Sequence, residues 1–413
     1  MTAPARLSPN AHPWMRATAT AAVIDALSPA GGDTARFVGG CVRNALLGVP
    51  VEDVDIATTL TPDEAGSVLK RAGVKVVPTG IDHGTLTAIV DGKPFEVTTL
   101  RRDVETFGRR AAVAFTTDWL EDAKRRDFRF NAIYARPDGV LFDPFDGLSD
   151  IASRRVVFIG KAEDRIAEDV LRILRFYRFN AWYGSEIDAA GQAACAALAD
   201  QISGLSVERV WKELKKLLAA ADPGPVVRAM QEGHVLSQVL PGDIDFNLFL
   251  SIIEADRGKS RAPDPLLRIA ALLGRDGVAM QRVVEHMKAS NAERARIQAM
   301  GASASDFGVP ALEPGLSERA RSFALYQMGA AAFADQMRLR EAAGGGDATA
   351  DLAAARDWSK PKFPLTGKDL IAAGITRGPE LGARLAQLER TWAESGFEMS
   401  RAALLARVRG GAT

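Results

Sequence analysis

The sequence has few cysteines, no excess of either charge and no long apolar runs. Cys41 and Cys195 are its only cysteines and lie far apart without ligand-type neighbours, which argues against a disulfide framework or a structural zinc site and predicts a reducing, cytoplasmic compartment. Lys+Arg 52 balances Asp+Glu 52, so any nucleic-acid partner must meet local basic patches. No run reaches membrane-spanning length, so we expect no membrane partner.

The chain does have enough apolar residues for more than one core. Its 413 residues are 47% hydrophobic, which predicts two or more domains. Up to about residue 160, short β-like runs mix with helical patterns, and the Asp-Gly turns in "VDGKPF" and "RPDGVLF" favour antiparallel hairpins. Beyond residue 161 the apolar residues recur at helical spacing only. We therefore predict an α+β domain followed by an all-α remainder.

An acidic pair, Asp53 and Asp55, interrupts an otherwise apolar run. On a strand both side chains leave one face, while Val54 and Ile56 leave the other. Two carboxylates so placed repel each other unless a cation lies between them, and clustered hard oxygen ligands are what Mg²⁺ requires. Glu96, in a later strand-like run, could add a third carboxylate. The alternative for the acidic pair alone is a turn followed by a solubilising edge-strand residue.

Two glycines precede this pair at the end of a candidate strand. Gly39 and Gly40 are followed by "CVRNALLG", which has the spacing of a short helix. Glycine lets backbone N–H groups approach a phosphate closely, the partial positive charge of a helix N-terminus favours anions, and Arg43 on the first turn adds a cation. The pattern predicts a phosphate cradle at Gly40 and Arg43, although an ordinary turn explains the glycines equally well when they are taken singly.

Four motifs follow one another along the chain: G-G-x-V-R, D-x-D, "RRDF" and "EDVLRILR". In their order and spacing, over about residues 36 to 217, the sequence resembles the class II tRNA nucleotidyltransferases and bacterial poly(A) polymerases of the polymerase β superfamily. The resemblance implies a nucleotidyltransferase head with a five-stranded mixed sheet, followed by all-α neck, body and tail domains. We place the head at 1–160, the neck with a base-reading helix at 161–220, and the tRNA-binding body and tail at 221–413.

The same resemblance implies an activity and its partners. Members of this family transfer CMP and AMP from CTP and ATP to the 3′ end of tRNA without a template, and the reaction depends on a metal, here Mg²⁺. Asp53, Asp55 and Glu96 would be the catalytic carboxylates, with the metal on the first two. Poly(A) polymerase activity, or addition of A alone, is an alternative that the same motifs allow. An RNA-binding protein that keeps the fold without the chemistry is another.

A second basic motif is centred on "RRDF". The resemblance implies that Arg126 contacts the triphosphate and that the loop before it assists the change from adding C to adding A. The planar fork of arginine suits phosphate oxygens. Asn131 is a candidate for hydrogen bonding to the sugar or a phosphate, with packing as the alternative. A solvated surface loop is the alternative for the three Arg-Arg pairs at 101–102, 109–110 and 125–126.

Two positions depart from the family's usual pattern. Asn44 stands where an aspartate usually follows G-G-x-V-R, and Arg129 stands where a threonine usually follows "RRDF". Neither position is a predicted metal ligand or base reader, so we expect tuned rather than lost activity.

The run "EDVLRILRFYRF" predicts a helix. A slowly rotating stripe on its surface carries a charge at every third position: Asp169, Arg172, Arg175 and Arg178. Three arginines against one aspartate predict two cations available to an anionic partner, with a stripe of salt-bridged charges as the alternative. The resemblance implies that Asp169 and Arg172 read the base, because cytosine and adenine both present an amine donor beside a ring-nitrogen acceptor. Arg175 and Arg178 would meet phosphates or orient Asp169.

We expect the helical half of the chain to hold the RNA. The run "VERVWKELKKLL" predicts a helix with four basic residues, Arg209, Lys212, Lys215 and Lys216. An ordinary amphipathic helix is the alternative, and it is at least as good an explanation for each of these residues taken singly.

Overall fold

A computed structural model describes residues 5–28, 32–81, 84–103 and 113–409. It contains two compact units, one formed by Met1–Leu205 with Pro225–Gln238 and the other by Ser206–Gly224 with Val239–Thr413. The first unit is α+β and the second is helical, as the sequence predicts. Within the described ranges no helix is both long and apolar enough to cross a membrane. The division into head, neck, body and tail stays a prediction.

The strands of the first unit form two sheets. The bounds of the described strands are β1 Ala35–Val38, β2 Asp55–Thr58, β3 Lys75–Gly80, β4 Thr85–Val90, β5 Lys93–Thr99, β6 Arg101–Asp103, β7 Val113–Phe115, β8 Tyr134–Ala135 and β9 Leu141–Phe142. The larger sheet has the order β3-β4-β5-β2-β1-β8-β9, and β6 pairs with β7 in a separate sheet.

The larger sheet is mixed. β2 and β5 pair in parallel, whereas the other neighbours are antiparallel. Asp91 and Gly92 join β4 to β5 with φ angles of 51° and 77°, as a two-residue type I′ turn requires. The Asp-Gly turn of "RPDGVLF" joins β8 to β9, so both predicted hairpins are confirmed. Since β8 and β9 extend the edge beyond β1, the sheet has seven strands where the resemblance implies five.

Helices cover one face of this sheet. The helices before residue 205 are α1 Thr18–Leu27, α2 Gly40–Leu47, α3 Pro62–Arg71, α4 Trp119–Lys124, α5 Gly147–Ala152, α6 Ala162–Glu168, α7 Leu171–Tyr183 and α8 Ala189–Ala197. Local sequence sets the start of α3, because Thr61 and Glu64 form a capping box and Pro62 suits the first helical position. α1 and α3 pack against each other and against β4, and α3 also contacts the edge strand β3.

The central strands face a different core on each side. Ile56 and Val97 belong to the larger core, which also contains the apolar residues of α1 and α3. Ala57, on the opposite side of β2, belongs to a smaller cluster. Because side chains alternate along a strand, Asp55 and Glu96 lie on the side of the smaller cluster. The fold thus keeps that side of the sheet for the charged residues of the candidate site.

The second unit is built from helices. From residue 206 onward the helices are α9 Val207–Leu218, α10 Gly224–Glu232, α11 Phe246–Gly258, α12 Pro265–Leu272, α13 Gly277–His286, α14 Asn291–Gly301, α15 Glu318–Met328, α16 Ala330–Ala342, α17 Thr349–Arg356, α18 Gly367–Ala372, α19 Pro379–Glu394 and α20 Arg401–Arg409. Most of α10 belongs to the first unit. Residues 266–272 of α12 are all buried. Among them, Arg268 donates to the carbonyl oxygens of Leu218 at 2.6 Å and Ala220 at 2.5 Å, and so caps the end of α9.

Candidate active site

The acidic side of the site lies where β2 begins. Asp55 is the first residue of the strand, and Asp53 is exposed just before it. Val54 and Ile56 are buried in the larger core, as the alternation of side chains predicts. β2 and β5 are parallel and place Asp55 opposite Glu96. The third predicted carboxylate therefore lies on the neighbouring strand.

The Asp55 carboxyl is harder to ionise than that of a free aspartate. Burial, together with the charges of Glu96 and Asp53, raises the pKa of Asp55 to about 6, although Arg126 and Arg43 oppose the shift. Within the described ranges there is no group of three or more His, Cys, Asp or Glu side chains that could hold one metal ion. Glu96 thus does not complete a three-residue metal site. The repelling oxygens of Asp53 and Asp55 are the donor set that suits a divalent cation.

The turn at Gly39 and Gly40 lies between an acidic side chain and two arginine side chains. Gly39 precedes α2 with φ 68° and ψ −125°, a conformation that favours glycine. A Cβ placed there would lie 3.7 Å from Asp55 Oδ2 and 3.8 Å from Arg126 Nη1. A Cβ on Gly40 would lie 3.9 Å from Arg43 Nη2 and from Asp55 Oδ2. Because Gly39 and Gly40 have no side chains, the backbone carries no Cβ at the point where the Asp55 carboxylate and the guanidinium groups of Arg126 and Arg43 approach one another.

Arg126 is oriented by an acid and a phenol. Its Nη2 donates to Asp122 Oδ2 at 3.0 Å and its Nε to Tyr134 Oη at 2.9 Å, while Tyr134 Oη donates to the same Asp122 oxygen at 2.6 Å. The other Asp122 oxygen accepts from Arg125 Nε at 2.8 Å. Burial opposes ionisation of Asp122, but Arg126 and Arg125 outweigh it and lower its pKa to about 2. A charged, pre-oriented guanidinium results.

Sequence reasoning missed the role of Asp122. No role was assigned to this residue from the sequence, although its position three and four residues before Arg125 and Arg126 is the spacing at which side chains on a helix meet. That spacing was the available signal. Tyr134 comes from β8, and no local pattern connects it to this helix.

Arg43 lies inside an aromatic and amide pocket. It is buried, and its Nη1 donates to Asn131 Oδ1 at 2.8 Å and its Nη2 to Tyr183 Oη at 3.1 Å. Its guanidinium stacks 4.4 Å above the ring of Tyr183 and 5.0 Å from that of Phe179. Asn44 Oδ1 accepts from Nη2 at 2.8 Å. Asn44, which stands where the family usually has aspartate, therefore contacts Arg43. Arg43, predicted to bind a phosphate, is linked to α7 through Tyr183.

Asn131 extends this link. Its amide nitrogen donates to Asp127 Oδ1 at 3.0 Å while its amide oxygen accepts from Arg43. Asp127 Oδ2 in turn accepts from Arg175 Nε at 2.8 Å. Because both ends of the buried amide are bonded to protein side chains, the contacts favour the packing alternative over a sugar or phosphate contact for Asn131.

The predicted base-reading helix starts later than expected. α7 begins at Leu171, so Asp169 is not on its stripe. Asp169 follows α6 with extended angles, φ −152° and ψ 102°, and its Oδ1 accepts from the backbone N–H of Leu171 at 3.2 Å. The physical reason is that aspartate competes well for N–H groups at a helix start. The apolar residues predicted to enter the core, Leu171, Ile173, Leu174 and Tyr177, are all buried.

Two arginines of α7 are paired with acids that lie outside this helix. Arg172 Nη1 donates to Glu168 Oε2 at 2.5 Å, and its Nη2 donates to the carbonyl oxygen of Arg125 at 2.8 Å. Arg175 pairs with Asp127, and Arg178 lies 4.0 Å above the Phe179 ring. The prediction of two arginines left over for an anionic partner is therefore wrong, because it counted only the aspartate on the stripe and neither Glu168 nor Asp127.

Two further predictions concern the basic residues of α9 and the loop before "RRDF". Within the second unit, Arg209, Lys212 and Lys216 of α9 are exposed, whereas Lys215 Nζ is half-buried and bonded to Glu293 Oε1 at 2.5 Å. The Arg-Arg pair at 109–110 and most of the loop predicted to assist the change from C to A lie outside the described residues.

Comparisons with known proteins match this arrangement. Residues 35–157 match the family model of the poly A polymerase head domain, and residues 184–243 match a probable RNA and SrmB-binding site of polymerase A. The mitochondrial CCA tRNA nucleotidyltransferase 1 of Mus musculus is 35% identical over 399 residues, covering 91% of this chain and 86% of the relative. The CCA-adding enzyme of Latilactobacillus sakei is 32% identical, covering 87% and 90%. This chain belongs to the CCA tRNA nucleotidyltransferase family.

Solved structures of this nucleotidyltransferase family share the fold. The CCA-adding enzyme of Bacillus stearothermophilus in complex with CTP aligns with a TM-score of 0.76 at 26% identity, covering 95% of this chain and 96% of the other. A Thermotoga maritima CCA-adding enzyme complexed with tRNA aligns with a TM-score of 0.65 over 99% and 97% of the chains at 18% identity, which shows the fold alone. The α+β head followed by helices and the family resemblance are confirmed, and this chain is a nucleotidyltransferase.

Proposed function

We propose that this protein adds CMP and AMP, taken from CTP and ATP, to the 3′ end of tRNA. The observation that carries the proposal is that the Asp55 carboxylate and the Arg126 guanidinium meet beside the bare backbone of Gly39. Nucleotidyl transfer needs this combination, because a triphosphate must be held by cationic donors next to the carboxylates that serve the attacking hydroxyl.

Asp53 and Asp55 would hold the divalent cation, which we propose is Mg²⁺. The raised pKa of Asp55 and the exposure of Asp53 fit such an ion, because a nearby dication relieves the repulsion between carboxylates. When bound, the cation would favour the alkoxide form of the primer hydroxyl and offset the charge of the triphosphate. Glu96, opposite Asp55, adds negative charge to the site.

The chain's own residues would bind and orient the nucleotide. Asp122 and Tyr134 hold the Arg126 guanidinium in place before the triphosphate arrives, so little reorganisation is needed on binding. The backbone N–H groups after Gly39 lie at the start of α2, where the helix dipole favours a phosphate. In this proposal Arg43 orients the turn from beneath, through its contacts with Asn131 and Tyr183.

Asp169 and Arg172 would select the base. A carboxylate and a guanidinium together satisfy the amine donor and ring-nitrogen acceptor that cytosine and adenine share. Uracil and guanine would place a carbonyl against the carboxylate, which costs on the order of 1–3 kcal/mol for each lost partner. Arg172 is steadied by Glu168 and by the carbonyl oxygen of Arg125, the residue before Arg126. Arg172, the proposed base reader, is thus hydrogen-bonded to the residue that precedes Arg126, the proposed triphosphate ligand.

Incorporation from single nucleotides tests this function. Purified protein would be incubated with a tRNA lacking its 3′ C-C-A and with CTP, ATP, UTP or GTP, alone and in pairs. We expect addition of C from CTP, followed by a single A once ATP is present. Long A tails would identify a poly(A) polymerase, addition of A only after C-C has been supplied would identify an A-adding enzyme, and tight binding without incorporation would identify an RNA-binding protein. A cytoplasmic location stays a prediction.

A further inference from the structure

Arg43 is a buried cation that is held by neutral groups. The residue is only 8% exposed. Among the described residues its hydrogen-bond acceptors are all neutral oxygens, those of Asn44, Asn131 and Tyr183. Burial lowers the pKa of Arg43, and the charge of Asp127, which is itself bonded to Arg175, opposes the shift only in part. Because a buried charge is costly without a counter-charge, this arrangement favours an anion nearby.

The charge of Arg43 lies close to the turn at Gly39 and Gly40. A Cβ on Gly40 would be 3.9 Å from Arg43 Nη2. Gly40 is also the first residue of α2, where backbone N–H groups and the helix dipole favour a phosphate. The guanidinium and the helix start therefore favour an anion at the same place. How strongly Arg43 attracts that anion depends on how far neighbouring side chains offset its charge.

Asn44 binds the guanidinium without offsetting its charge. Its Oδ1 accepts from Arg43 Nη2 at 2.8 Å and from Arg43 Nε at 3.2 Å. Since arginine can only donate, the amide must turn its oxygen towards Arg43, and its nitrogen then donates to the carbonyl oxygen of Pro50 at 3.2 Å. Pro50 lies three residues before Asp53. The neutral amide therefore connects Arg43 to the segment that leads into the proposed metal ligands.

We propose that Asn44 is a positioning residue that holds Arg43 with a neutral amide, so that the charge of Arg43 acts on the nucleotide triphosphate. This inference rests on the proposed function, since that function supplies the triphosphate. The aspartate that the family usually has here would also accept from Arg43, but it would offset the charge and could not donate to Pro50. At this position, stability of the fold and binding of the nucleotide are therefore opposed.

Nucleotide binding and stability of Asn44→Asp test this inference. The KM for CTP and the dissociation constant for pyrophosphate, both at saturating Mg²⁺, should rise roughly tenfold because Arg43 is offset by a carboxylate, while kcat stays within about twofold. The thermal unfolding midpoint should stay at or above that of wild type, because the buried cation gains a counter-charge. Asn10→Asp is the matched control: Asn10 is exposed and also accepts from an arginine, Arg16, at 2.7 Å. This control should change none of these quantities.

A second variant separates charge from packing. Asn44→Ala removes both the acceptor for Arg43 and the donor to Pro50, so it should raise the KM for CTP and lower the unfolding midpoint. An unchanged KM for CTP and an unchanged pyrophosphate affinity in Asn44→Asp would overturn the inference. A raised KM in Asn44→Asp together with a lowered unfolding midpoint would also overturn it, because disturbance of the fold would then explain the effect. Failure of the proposed function is seen separately, as absence of C and A incorporation by wild-type protein.

Discussion

The arginines and the carboxylates of the candidate active site are held in opposite ways. Arg126 donates to Asp122, and Arg175 donates to Asp127, so each guanidinium already lies against a buried acid. Asp55 instead lies opposite Glu96 on the paired strand, and burial raises its pKa to about 6. The arginines are pre-oriented by their acidic partners. The carboxylates repel one another, and the positive charge of a divalent cation would relieve that repulsion.

Pairing alone does not mark a functional arginine. In the second unit, Arg296 bonds to Asp335 at 2.7 Å and is also paired with Asp264, and nothing places these residues at a bare backbone turn. Arg126 differs because it lies beside Gly39 and near Asp55. The surroundings of an ion pair therefore distinguish an arginine that can bind substrate from one that only stabilises the fold.

The largest effect should come from the acidic side. Asp55→Ala should lower incorporation by roughly 10³-fold or more, because it removes one of two proposed metal ligands, while tRNA affinity stays close to wild type. Turnover at saturating Mg²⁺ and a tRNA binding curve measure the two effects. Glu52→Gln, which changes an exposed carboxylate one residue before Asp53, is the matched control. Substantial turnover in Asp55→Ala would refute the metal assignment.

The basic side should respond in both stability and nucleotide binding. Asp122→Asn removes the charge that holds Arg125 and Arg126 and should cost about 3–5 kcal/mol of unfolding free energy, as breaking a buried ion pair does. The KM for CTP should rise because Arg126 is no longer oriented. Urea unfolding and initial rates measure these effects. Glu121→Gln, a carboxylate beside it that is not one of the ion-pair partners of Arg125 and Arg126, should leave both near wild type; an equal loss there would remove the special role of Asp122.

The same variant should reveal the charge of Asp122 through pH. The folded-state pKa of Asp122 is about 2, below its ordinary 3.8, so its ionisation stabilises the fold above about pH 4 and this stabilisation is lost as the pH falls through about 2. The difference in unfolding free energy between wild type and Asp122→Asn should therefore shrink by about 2 kcal/mol across this range. A difference that is constant with pH would show that shape and not charge matters.

A smaller effect is expected at the base reader. Asp169→Ala should relax the preference for C and A over U and G by roughly tenfold, the cost of one unpaired polar group, and should change the KM for CTP less. Competition between labelled nucleotides measures the preference. Asp164→Ala, an exposed aspartate of α6, should keep wild-type selectivity. Unchanged selectivity in Asp169→Ala would count against a protein template.

The smallest effect should lie in the second unit. Lys212→Ala, on the exposed face of α9, should weaken tRNA binding only a few-fold and lower the slope of log affinity against log salt by about one, as the loss of one phosphate contact does. Binding titrations from low to high salt measure the slope. Lys70→Ala on α3, an exposed lysine of the first unit, serves as control. Equal slopes in all three proteins would leave α9 as an ordinary amphipathic helix.

Short-range patterns predicted much of the site correctly. The alternation in β2 placed Val54 and Ile56 in the core, and two Asp-Gly turns marked real hairpins. These features depend on neighbours one or two residues away, so the local chain determines them. The start of α7 was misplaced by three residues for a related reason. Helical periodicity continues through Asp169, but its side chain bonds to the backbone of Leu171 and the helix begins after it.

By itself the sequence determined which chemical groups the protein has and the local face on which each one lies, because side-chain periodicity follows from backbone geometry. Only the tertiary structure decided which charges pair. Asp127 lies 48 residues before Arg175, and Asn131 lies 88 residues after Arg43, so neither contact leaves a mark in a short window. Burial strongly favours these pairings. Leaving a buried charge or amide without a hydrogen-bond partner destabilises the fold by more than the hydrogen bond itself contributes to stability.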